Sequence, residues 1–275
     1  MENILVSIIT VTYQAQDHLE QTMQSVFTQT YPNIEYILID GGSTDKTLDI
    51  VRKHENKLSF WVSEKDNGIY DAMNKGIQKA QGELIGMINA SDYYEPEAVE
   101  LMVSTYIKNP DFGVYHGNVN MLNTDGSFFK FKKPNTNIDE LYKGMSLYHP
   151  TFFIPKSTYE HLGLYSLQFK IAADFDLALR YYLAGVKFYW IDSVICNFRK
   201  GGVSTKQEVQ ATQECVEVLL KNGYPEAEVQ TISKKWEKLN KKDQLFDMVY
   251  QLLKKILPEA VIKKIVTHVS INNKK

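Results

Sequence analysis

The 275-residue sequence lacks the features that mark several protein classes. It holds two cysteines, Cys196 and Cys215, whose spacing fits neither a zinc site nor a disulfide framework. We therefore expect reduced thiols in a cytoplasmic protein. No apolar run approaches the roughly 18 residues that a membrane-spanning helix needs. The formal net charge of -2 is not that of a typical nucleic-acid-binding domain, so we expect no nucleic-acid partner.

Three catalytic and nucleotide-binding signatures are missing as well. Residues 11–14 (VTYQ) follow the first predicted strand, where a dinucleotide-binding fold has a glycine-rich turn. The sequence has no phosphate-binding loop of the Walker type. No serine or cysteine lies in the strand–turn–helix context of a catalytic nucleophile. These absences count against dehydrogenases, P-loop enzymes and serine hydrolases.

The first hundred residues alternate between strand and helix patterns. Apolar runs predict four strands, at residues 4–11, 34–39, 58–62 and 84–88. Apolar residues at helical spacing predict helices at 19–27, around 48–51 and at 70–80, the second of them capped from residues 43–45. This order predicts an α/β fold, with a mostly parallel sheet flanked by helices on both faces.

The rest of the chain has a different pattern. Predicted strands at 114–120 and 127–131 flank Asp125-Gly126, which indicates a hairpin. A short apolar run at 151–154, a helix at 174–183 and a strand at 187–191 follow. Residues from 207 onward have a helical pattern. We predict a first domain of residues 1–204 and a helical C-terminal extension of residues 205–275.

Polar residues follow the predicted parallel strands, at the edge of the sheet where ligands bind in such folds. They are Thr10, Thr12, Tyr13, Asp40, Glu64, Asp66 and residues 89–92. Asp92 is the candidate ligand for Mg²⁺ or Mn²⁺. These ions take oxygen ligands, and Mg²⁺ is usually bound by one or two protein carboxylates together with the phosphates of a substrate. From spacing alone, Asp92 is equally well a helix cap before residues 95–97.

Several ordered motifs resemble those of family 2 glycosyltransferases of the GT-A type, over residues 4–204. They are 7–13 (SIITVTY), 39–45 (IDGGSTD), 66–76 (DNGIYDAMNKG), 89–92 (NASD), 149–151 (HPT), 172–176 (AADFD) and 201–204 (GGVS). The resemblance implies inverting transfer of a sugar from a nucleoside-diphosphate sugar to a hydroxyl of a glycan or lipid-linked acceptor. It further implies a divalent metal and a role in surface-polysaccharide synthesis.

The resemblance also implies roles for matching positions. Asp92 matches the acid that holds the metal, with Ser91 where many relatives have a second acid, and Asp174 matches the general base. The implied donor-binding residues are Thr12, Tyr13, Asp40, Gly42, Asp66, Asn74 and Ser91. Thr12 and Tyr13 match the loop that packs on the base, and Asp40 matches the acid that binds it.

Four further side chains have open interpretations. Asp174 is either the base or a plain helix N-cap, and Asp176 is not expected to work with it. His149 borders the acceptor pocket or is a hydrogen-bonded structural histidine. Arg199 and Gly202 form an anion-contacting loop or a tight turn.

The C-terminal tail is basic. Residues 234–275 hold eleven lysines and four acids, a net of +7, which leaves -9 for the rest of the chain. Amphipathic stripes on either side of Pro258 predict helices that bind an anionic membrane surface, on the inner face of the cell membrane. The alternative is that these helices pack on protein.

Two other functions are compatible with parts of the pattern. A nucleotidyltransferase has a similar sheet but needs a basic, glycine-rich loop after the first strand, which this sequence does not have. A non-catalytic sugar-nucleotide-binding protein would explain Ser91, but not Asp40 and Asp174 at their motif positions.

Overall fold

The computed structural model describes residues 4–202 and 207–239. The chain divides into two compact units, Met1–Thr205 and Lys206–Lys275. The amphipathic stripes predicted around Pro258 lie outside the described residues, so their association with a membrane remains a prediction. Across the described residues, no helix combines the length and apolar character needed to cross a membrane.

The first unit is built on a sheet of nine strands within its described part. They are β1 (Val6–Thr12), β2 (Ile34–Asp40), β3 (Phe60–Ser63), β4 (Leu84–Met87), β5 (Tyr93–Tyr94), β6 (Val114–Leu122), β7 (Phe128–Lys132), β8 (Phe153–Pro155) and β9 (Phe188–Arg199). The strand order is β3-β2-β1-β4-β8-β6-β9-β5, and β7 pairs with β6. The strands β3, β2, β1 and β4 are parallel, whereas β8 runs antiparallel to β4 and β6.

Helices occupy the connections between these strands. In the first unit they are α1 (Leu19–Phe27), α2 (Thr47–Lys53), α3 (Ile69–Lys79), α4 (Ala98–Lys108), α5 (Lys156–Leu162) and α6 (Ala173–Leu183). Short 3-10 helices cover Glu55–Lys57, Ile138–Lys143 and His149–Thr151. In the second unit, α7 (Glu208–Lys221) is followed by a helix over residues 226–239.

Side chains of β1 alternate between two packed faces, as the period of a strand requires. Ile8 belongs to the apolar core that includes Leu19 of α1 and Met102 of α4. Ile9 points to the other face, where α3 approaches so closely that a β-carbon at Gly76 would lie 2.5 Å from the Cγ2 atom of Ile9. Helices therefore flank both faces of the sheet, as predicted.

The sequence predicted the first half of the fold and the hairpin of β6 and β7 correctly. One local prediction was wrong and another holds in part. The N-cap residue of α2 is Lys46, but Asp45, one of the predicted capping residues, accepts the N–H of Thr47 at 3.0 Å, whereas Ser43 is hydrogen-bonded to Asp40. The strand predicted to end at residue 191 continues to Arg199, because hydrogen bonds to β6 and β5 extend it through polar residues such as Asp192 and Asn197. The short β5 and helix α4 had no prediction.

Candidate active site

The first part of the site lies at the carboxyl ends of β1 and β2. Tyr13 follows β1 directly, and 63% of it is exposed. Thr12 is buried, and its Oγ1 atom has no hydrogen-bond partner among the described residues. The main-chain oxygen of Thr12 accepts the N–H of Gly41 at 2.9 Å, which joins the two strand ends. An exposed aromatic ring and a buried hydroxyl that lacks a partner among the described residues therefore lie at this edge of the sheet.

The carboxylate of Asp40 organises the loop after β2. Its Oδ2 atom accepts hydrogen bonds from Gly42 N (3.0 Å), Ser43 N (2.8 Å) and Ser63 Oγ (2.6 Å). Its Oδ1 atom accepts one from Ser43 Oγ at 2.6 Å. Asp40 is fully buried, and Gly42 has a φ of +84°, a left-handed conformation that suits glycine. These bonds fix the loop over residues 41–43, while the predicted contact of Asp40 with a nucleotide base is untested.

Asp66 lies against the same loop. A β-carbon at Gly41 would overlap the Asp66 carboxylate, so the absence of a side chain at Gly41 makes room for Asp66. The Oδ1 atom of Asp66 accepts the N–H of Gly68 at 2.9 Å, just before α3 begins. Asp66 therefore joins the ends of β2 and β3 to the start of α3.

Asn74 has a positioning role in this structure. Its amide nitrogen donates to the main-chain oxygen of Tyr165 at 2.9 Å, and its amide oxygen accepts the N–H of Tyr165 at 3.0 Å. These two bonds tie α3 to the segment that leads into α6. The predicted contact of Asn74 with a donor sugar remains a prediction.

Asp92 lies between β4 and β5 and is 2% exposed. Its Oδ1 atom accepts the N–H of Arg199 at 2.9 Å and the hydroxyl of Ser91 at 3.5 Å. Burial raises the pKa of Asp92 to about 7, although the Arg199 hydrogen bond and charge act in the opposite direction. The helix-cap alternative is wrong, because β5 follows Asp92 and α4 begins only after Glu97.

Arg199 holds the Asp92 loop in place through its guanidinium group as well. The group donates to Ser91 O at 3.3 Å, Thr124 O at 3.3 Å and Gln21 Oε1 at 2.9 Å. Arg199 is buried, and these three partners come from separate parts of the chain. In this structure it links them, and contact with an anion stays a prediction. Gly202 is the last described residue before the gap at 203–206, so its predicted role is untested too.

Asp174 lies in the first turn of α6, after the N-cap residue Ala172. Its Oδ1 atom accepts the N–H of Phe175 at 2.8 Å and the hydroxyl of Tyr70 at 3.3 Å. Asp174 is half-buried as a residue, and burial of its carboxyl raises the pKa of that group, an effect that the nearby His149 opposes. Because the N-cap residue of α6 is Ala172, the interpretation of Asp174 as the N-cap is wrong.

Asp176 makes an ion pair of its own within α6. Its Oδ2 atom lies 2.8 Å from Arg180 Nε, and Asp176 is fully buried. The same guanidinium donates to the main-chain oxygens of Leu162 and Leu164. Asp176 thus anchors the segment before α6 and does not share a site with Asp174, as expected.

His149 packs within a group of aromatic rings beside Asp174. Its Nε2 atom lies 2.6 Å from the hydroxyl of Tyr165, and burial lowers its pKa. The Tyr165 ring stacks on Tyr70, whose hydroxyl donates to Ile171 O at 2.6 Å. The hydrogen-bonded interpretation of His149 therefore agrees with the structure. Sequence reasoning assigned no role to Tyr70 or Tyr165, although Tyr70 lies inside the motif at 66–76.

The described residues provide few protein ligands for a metal. Within residues 4–202 and 207–239, no three His, Cys, Asp or Glu side chains are close enough together to hold an ion. Asp92 supplies one carboxylate, whose hydrogen bonds from described residues all fall on Oδ1. A metal at this point would need most of its ligands from a bound substrate and from water.

Comparison with known proteins decides the family. The sequence profile described as "Glycosyl transferase family 2" matches residues 7–162. The chain belongs to this family. A glycosyltransferase of Mycobacterium tuberculosis is 32% identical over 212 residues, which cover 75% of this chain and 79% of that protein. The chondroitin synthase of Pasteurella multocida is 27% identical over 214 residues, which cover 76% of this chain and 22% of the synthase.

Solved structures agree with the family 2 assignment at the level of the fold. The mannosyltransferase PcManGT from Pyrobaculum calidifontis, in complex with GDP-Man and Mn²⁺, superimposes with a TM-score of 0.63. The two chains are 16% identical, and the match covers 98% of this chain and 80% of the mannosyltransferase. The predicted GT-A fold and glycosyltransferase activity are thus confirmed. This decides against the nucleotidyltransferase alternative.

Proposed function

We propose that this glycosyltransferase moves a sugar from a nucleoside-diphosphate sugar to a hydroxyl of a glycan or lipid-linked acceptor, inverting the anomeric centre. One observation carries the proposal. The exposed ring of Tyr13 and the carboxyl of Asp92 follow adjacent strands β1 and β4, and α3 begins at the same edge and contacts Asp174 through Tyr70. The mannosyltransferase of this fold that holds GDP-Man and Mn²⁺ supports a donor of this class.

The nucleotide would bind at the ends of β1 and β2. Tyr13 offers a ring for a base to stack on, and Thr12 Oγ1 is a buried hydroxyl that lacks a described partner. Asp40 acts by holding the loop over residues 41–43, since its carboxylate already accepts three hydrogen bonds from that loop and one from Ser63 of β3. Asp66 lies beside this loop, where the diphosphate would pass into the site.

A hard divalent ion fits Asp92. Mg²⁺ and Mn²⁺ take oxygen ligands, and Mg²⁺ commonly reaches a protein through one or two carboxylates and substrate phosphates. Asp92 is a single buried carboxyl whose pKa is raised by burial, so a cation next to it would favour its charged form. When bound, the ion would offset negative charge on the departing nucleoside diphosphate.

Asp174 is the proposed general base. Its carboxylate would accept the proton of the acceptor hydroxyl while that oxygen forms a bond to the anomeric carbon. The bond from this carbon to the diphosphate breaks on the opposite face, which gives inversion. The hydroxyl of Tyr70, which donates to Ile171 O at 2.6 Å, lies 3.3 Å from Oδ1 of Asp174 and contacts the carboxylate. Burial raises the pKa of Asp174 towards the working pH, as a general base requires.

The test is Asp174→Asn, compared with Asp111→Asn in the exposed turn after α4. Release of nucleoside diphosphate is measured over a panel of UDP- and GDP-sugars with Mn²⁺, and NMR identifies the anomer of the product. We expect Asp174→Asn to lower kcat by about 10²–10⁴-fold, the usual contribution of a general base, with the donor Kd nearly unchanged. A kcat within about threefold of the wild type, with the fold intact, contradicts this role for Asp174.

A further inference from the structure

The hairpin of β6 and β7 carries two exposed aromatic rings. Phe128 is 42% exposed and Phe131 is 47% exposed, although both lie in β7. Single exposed apolar side chains are common on proteins, but a cluster of large ones marks a surface that contacts another molecule or a membrane. Whether these two rings form one surface depends on the face of the sheet that each of them occupies.

A register shift in the hairpin places both rings on the same face. Phe131 is the register partner of Asn120, and Phe128 is the register partner of Leu122. Asn120 and Leu122 are two residues apart in β6, so their side chains share a face, and paired residues of neighbouring strands share a face as well. In a regular strand, residues 128 and 131 would point to opposite faces. The shift at Met121 and Leu122 adds one residue to β7 and thereby gathers the two phenylalanines on one surface.

The same strand and the segment after it are rich in lysine. Residues 126–138 contain Lys130, Lys132 and Lys133 and no aspartate or glutamate. Lys133 contacts Asp192 at 3.0 Å, in a pair whose side chains are 38% and 62% exposed. Exposed pairs of this kind contribute little, so this contact does not prevent Lys133 from binding another anion. The hairpin therefore combines exposed aromatic rings with positive charge.

The turn of this hairpin is joined to the candidate active site by Arg199. The guanidinium group of Arg199 donates to Thr124 O in the turn and to Ser91 O, next to Asp92, at 3.3 Å each. The turn therefore lies beside the loop that carries Asp92. A surface that binds the hairpin would hold this edge of the site close to itself.

We propose that Phe128, Phe131, Lys132 and Lys133 form a docking surface for an anionic lipid bilayer, which we call the hairpin patch. The two rings enter the boundary between headgroups and acyl chains, and the lysines reach the lipid phosphates. Lysines alone would suit any polyanion, whereas two rings on one face favour an apolar phase behind the phosphates. A second copy of the chain fits less well, because it would bring like charges together. Docking needs neither donor nor acceptor, so the inference does not rest on the proposed function.

The first test measures flotation of the full chain with vesicles, in the absence of nucleotide sugar and metal. The vesicles contain phosphatidylcholine alone or mixed with anionic phosphatidylglycerol. Phe128→Ala combined with Phe131→Ala should weaken partition into the anionic vesicles by about tenfold or more, since burial of the exposed half of each ring is worth about fivefold. The control Leu183→Ala removes an apolar side chain that is 51% exposed at the end of α6, and it should change partition by less than about twofold. An equally small change in the double variant, with its circular dichroism intact, overturns the proposal.

The second test removes the charge of the hairpin patch. Lys132→Gln combined with Lys133→Gln should weaken binding to the anionic vesicles by about tenfold or more, because each lysine at an anionic surface is worth about fivefold. The control is Lys108→Gln combined with Lys187→Gln, two exposed lysines outside the hairpin, and it should have little effect. An unchanged partition in the first variant refutes the anionic surface. If the lysine variant weakens binding and the phenylalanine variant does not, the patch binds polyanions in general and the lipid assignment fails.

The third test separates the hairpin patch from the basic tail. Phe131→Trp introduces an indole at the patch, and Leu183→Trp introduces one at an exposed position elsewhere, while the three native tryptophans are common to both variants. Phosphatidylglycerol vesicles with brominated acyl chains should quench the indole of Phe131→Trp more strongly than that of Leu183→Trp. Equal quenching means that another part of the chain holds it to the membrane and refutes the hairpin patch. If the chain binds no vesicle and instead forms dimers that the phenylalanine substitutions dissociate, the surface belongs to a second copy and the proposal fails.

Discussion

The substitution Asp92→Asn tests the electrostatics of the site without any substrate. Burial raises the pKa of Asp92 from 3.8 to about 7, so the folded protein prefers the protonated carboxyl. A group of this kind stabilises the fold fully below pH 3.8, and its contribution is lost as the pH rises to about 7. Each pKa unit corresponds to about 1.4 kcal/mol, so the loss has a ceiling of ~4 kcal/mol.

Asparagine removes this penalty and keeps the local contact. Its side-chain oxygen still accepts the N–H of Arg199, which lies 2.9 Å from Oδ1 of Asp92. We expect Asp92→Asn to be more stable than the wild type by up to about 1.7 kcal/mol at pH 5 and by up to about 4 kcal/mol at pH 8, because the penalty grows between pH 3.8 and about 7. The assay is urea unfolding at both values with a chelator present, with Asp111→Asn as the exposed control.

Metal binding should stabilise the wild type relative to Asp92→Asn. Mn²⁺ with UDP favours the charged carboxyl, so both together should stabilise the wild type at pH 8 and leave Asp92→Asn nearly unaffected. A difference between variant and wild type that is the same at pH 5 and pH 8 would refute the burial argument. A stabilisation by Mn²⁺ and UDP of equal size in both proteins would refute Asp92 as the metal ligand.

Two packing predictions concern the elements that carry the site. Gly76→Ala should lower the free energy of unfolding by about 1–3 kcal/mol, because the new β-carbon would overlap the Cγ2 atom of Ile9 in β1. Alanine has the better helix propensity, but this gain is smaller than the cost of the overlap. The measurement is urea unfolding, with the exposed Gln78→Ala as the control. Asp176→Ala should cost about 3–5 kcal/mol, because Arg180 loses its buried partner, whereas Glu160→Ala in an exposed pair should cost less than about 1 kcal/mol. Equal unfolding free energies for either variant and its control would contradict the packing read from the structure.

The half of the fold that holds the donor-side residues was predictable because local patterns determine it. Apolar strands alternate with amphipathic helices over the first ninety residues, and this order permits few arrangements other than a parallel sheet. The rule that ligands bind at strand ends then singled out Asp40 and Asp92. The hydrogen bonds that the Asp40 carboxylate accepts from its own loop also have a cause in the local sequence. An aspartate followed by Gly-Gly-Ser favours a turn in which the aspartate side chain binds the main chain that follows it.

Other parts of the site depend on contacts between distant segments, which no local pattern reveals. Arg199 binds Gln21, Ser91 and Thr124, so its role depends on how β9, α1 and the β6–β7 hairpin pack together. The predicted donor contact of Asn74 rests on the motif at 66–76 and stays a prediction. That its amide also holds the main chain of Tyr165 could not be predicted, because no local pattern places Tyr165 near α3.

Asp92 and Asp174 are affected by burial in the same way but have different proposed roles. Burial raises the pKa of both carboxyls, yet their surroundings differ. The hydrogen bonds that Asp92 receives from described residues fall on Oδ1, which leaves Oδ2 for the proposed contact with a cation bound to a diphosphate. Asp174 is half-buried as a residue, and its Oδ1 atom lies 3.3 Å from the hydroxyl of Tyr70. These differences are the basis for proposing Asp174 as the general base and Asp92 as the contact for the metal.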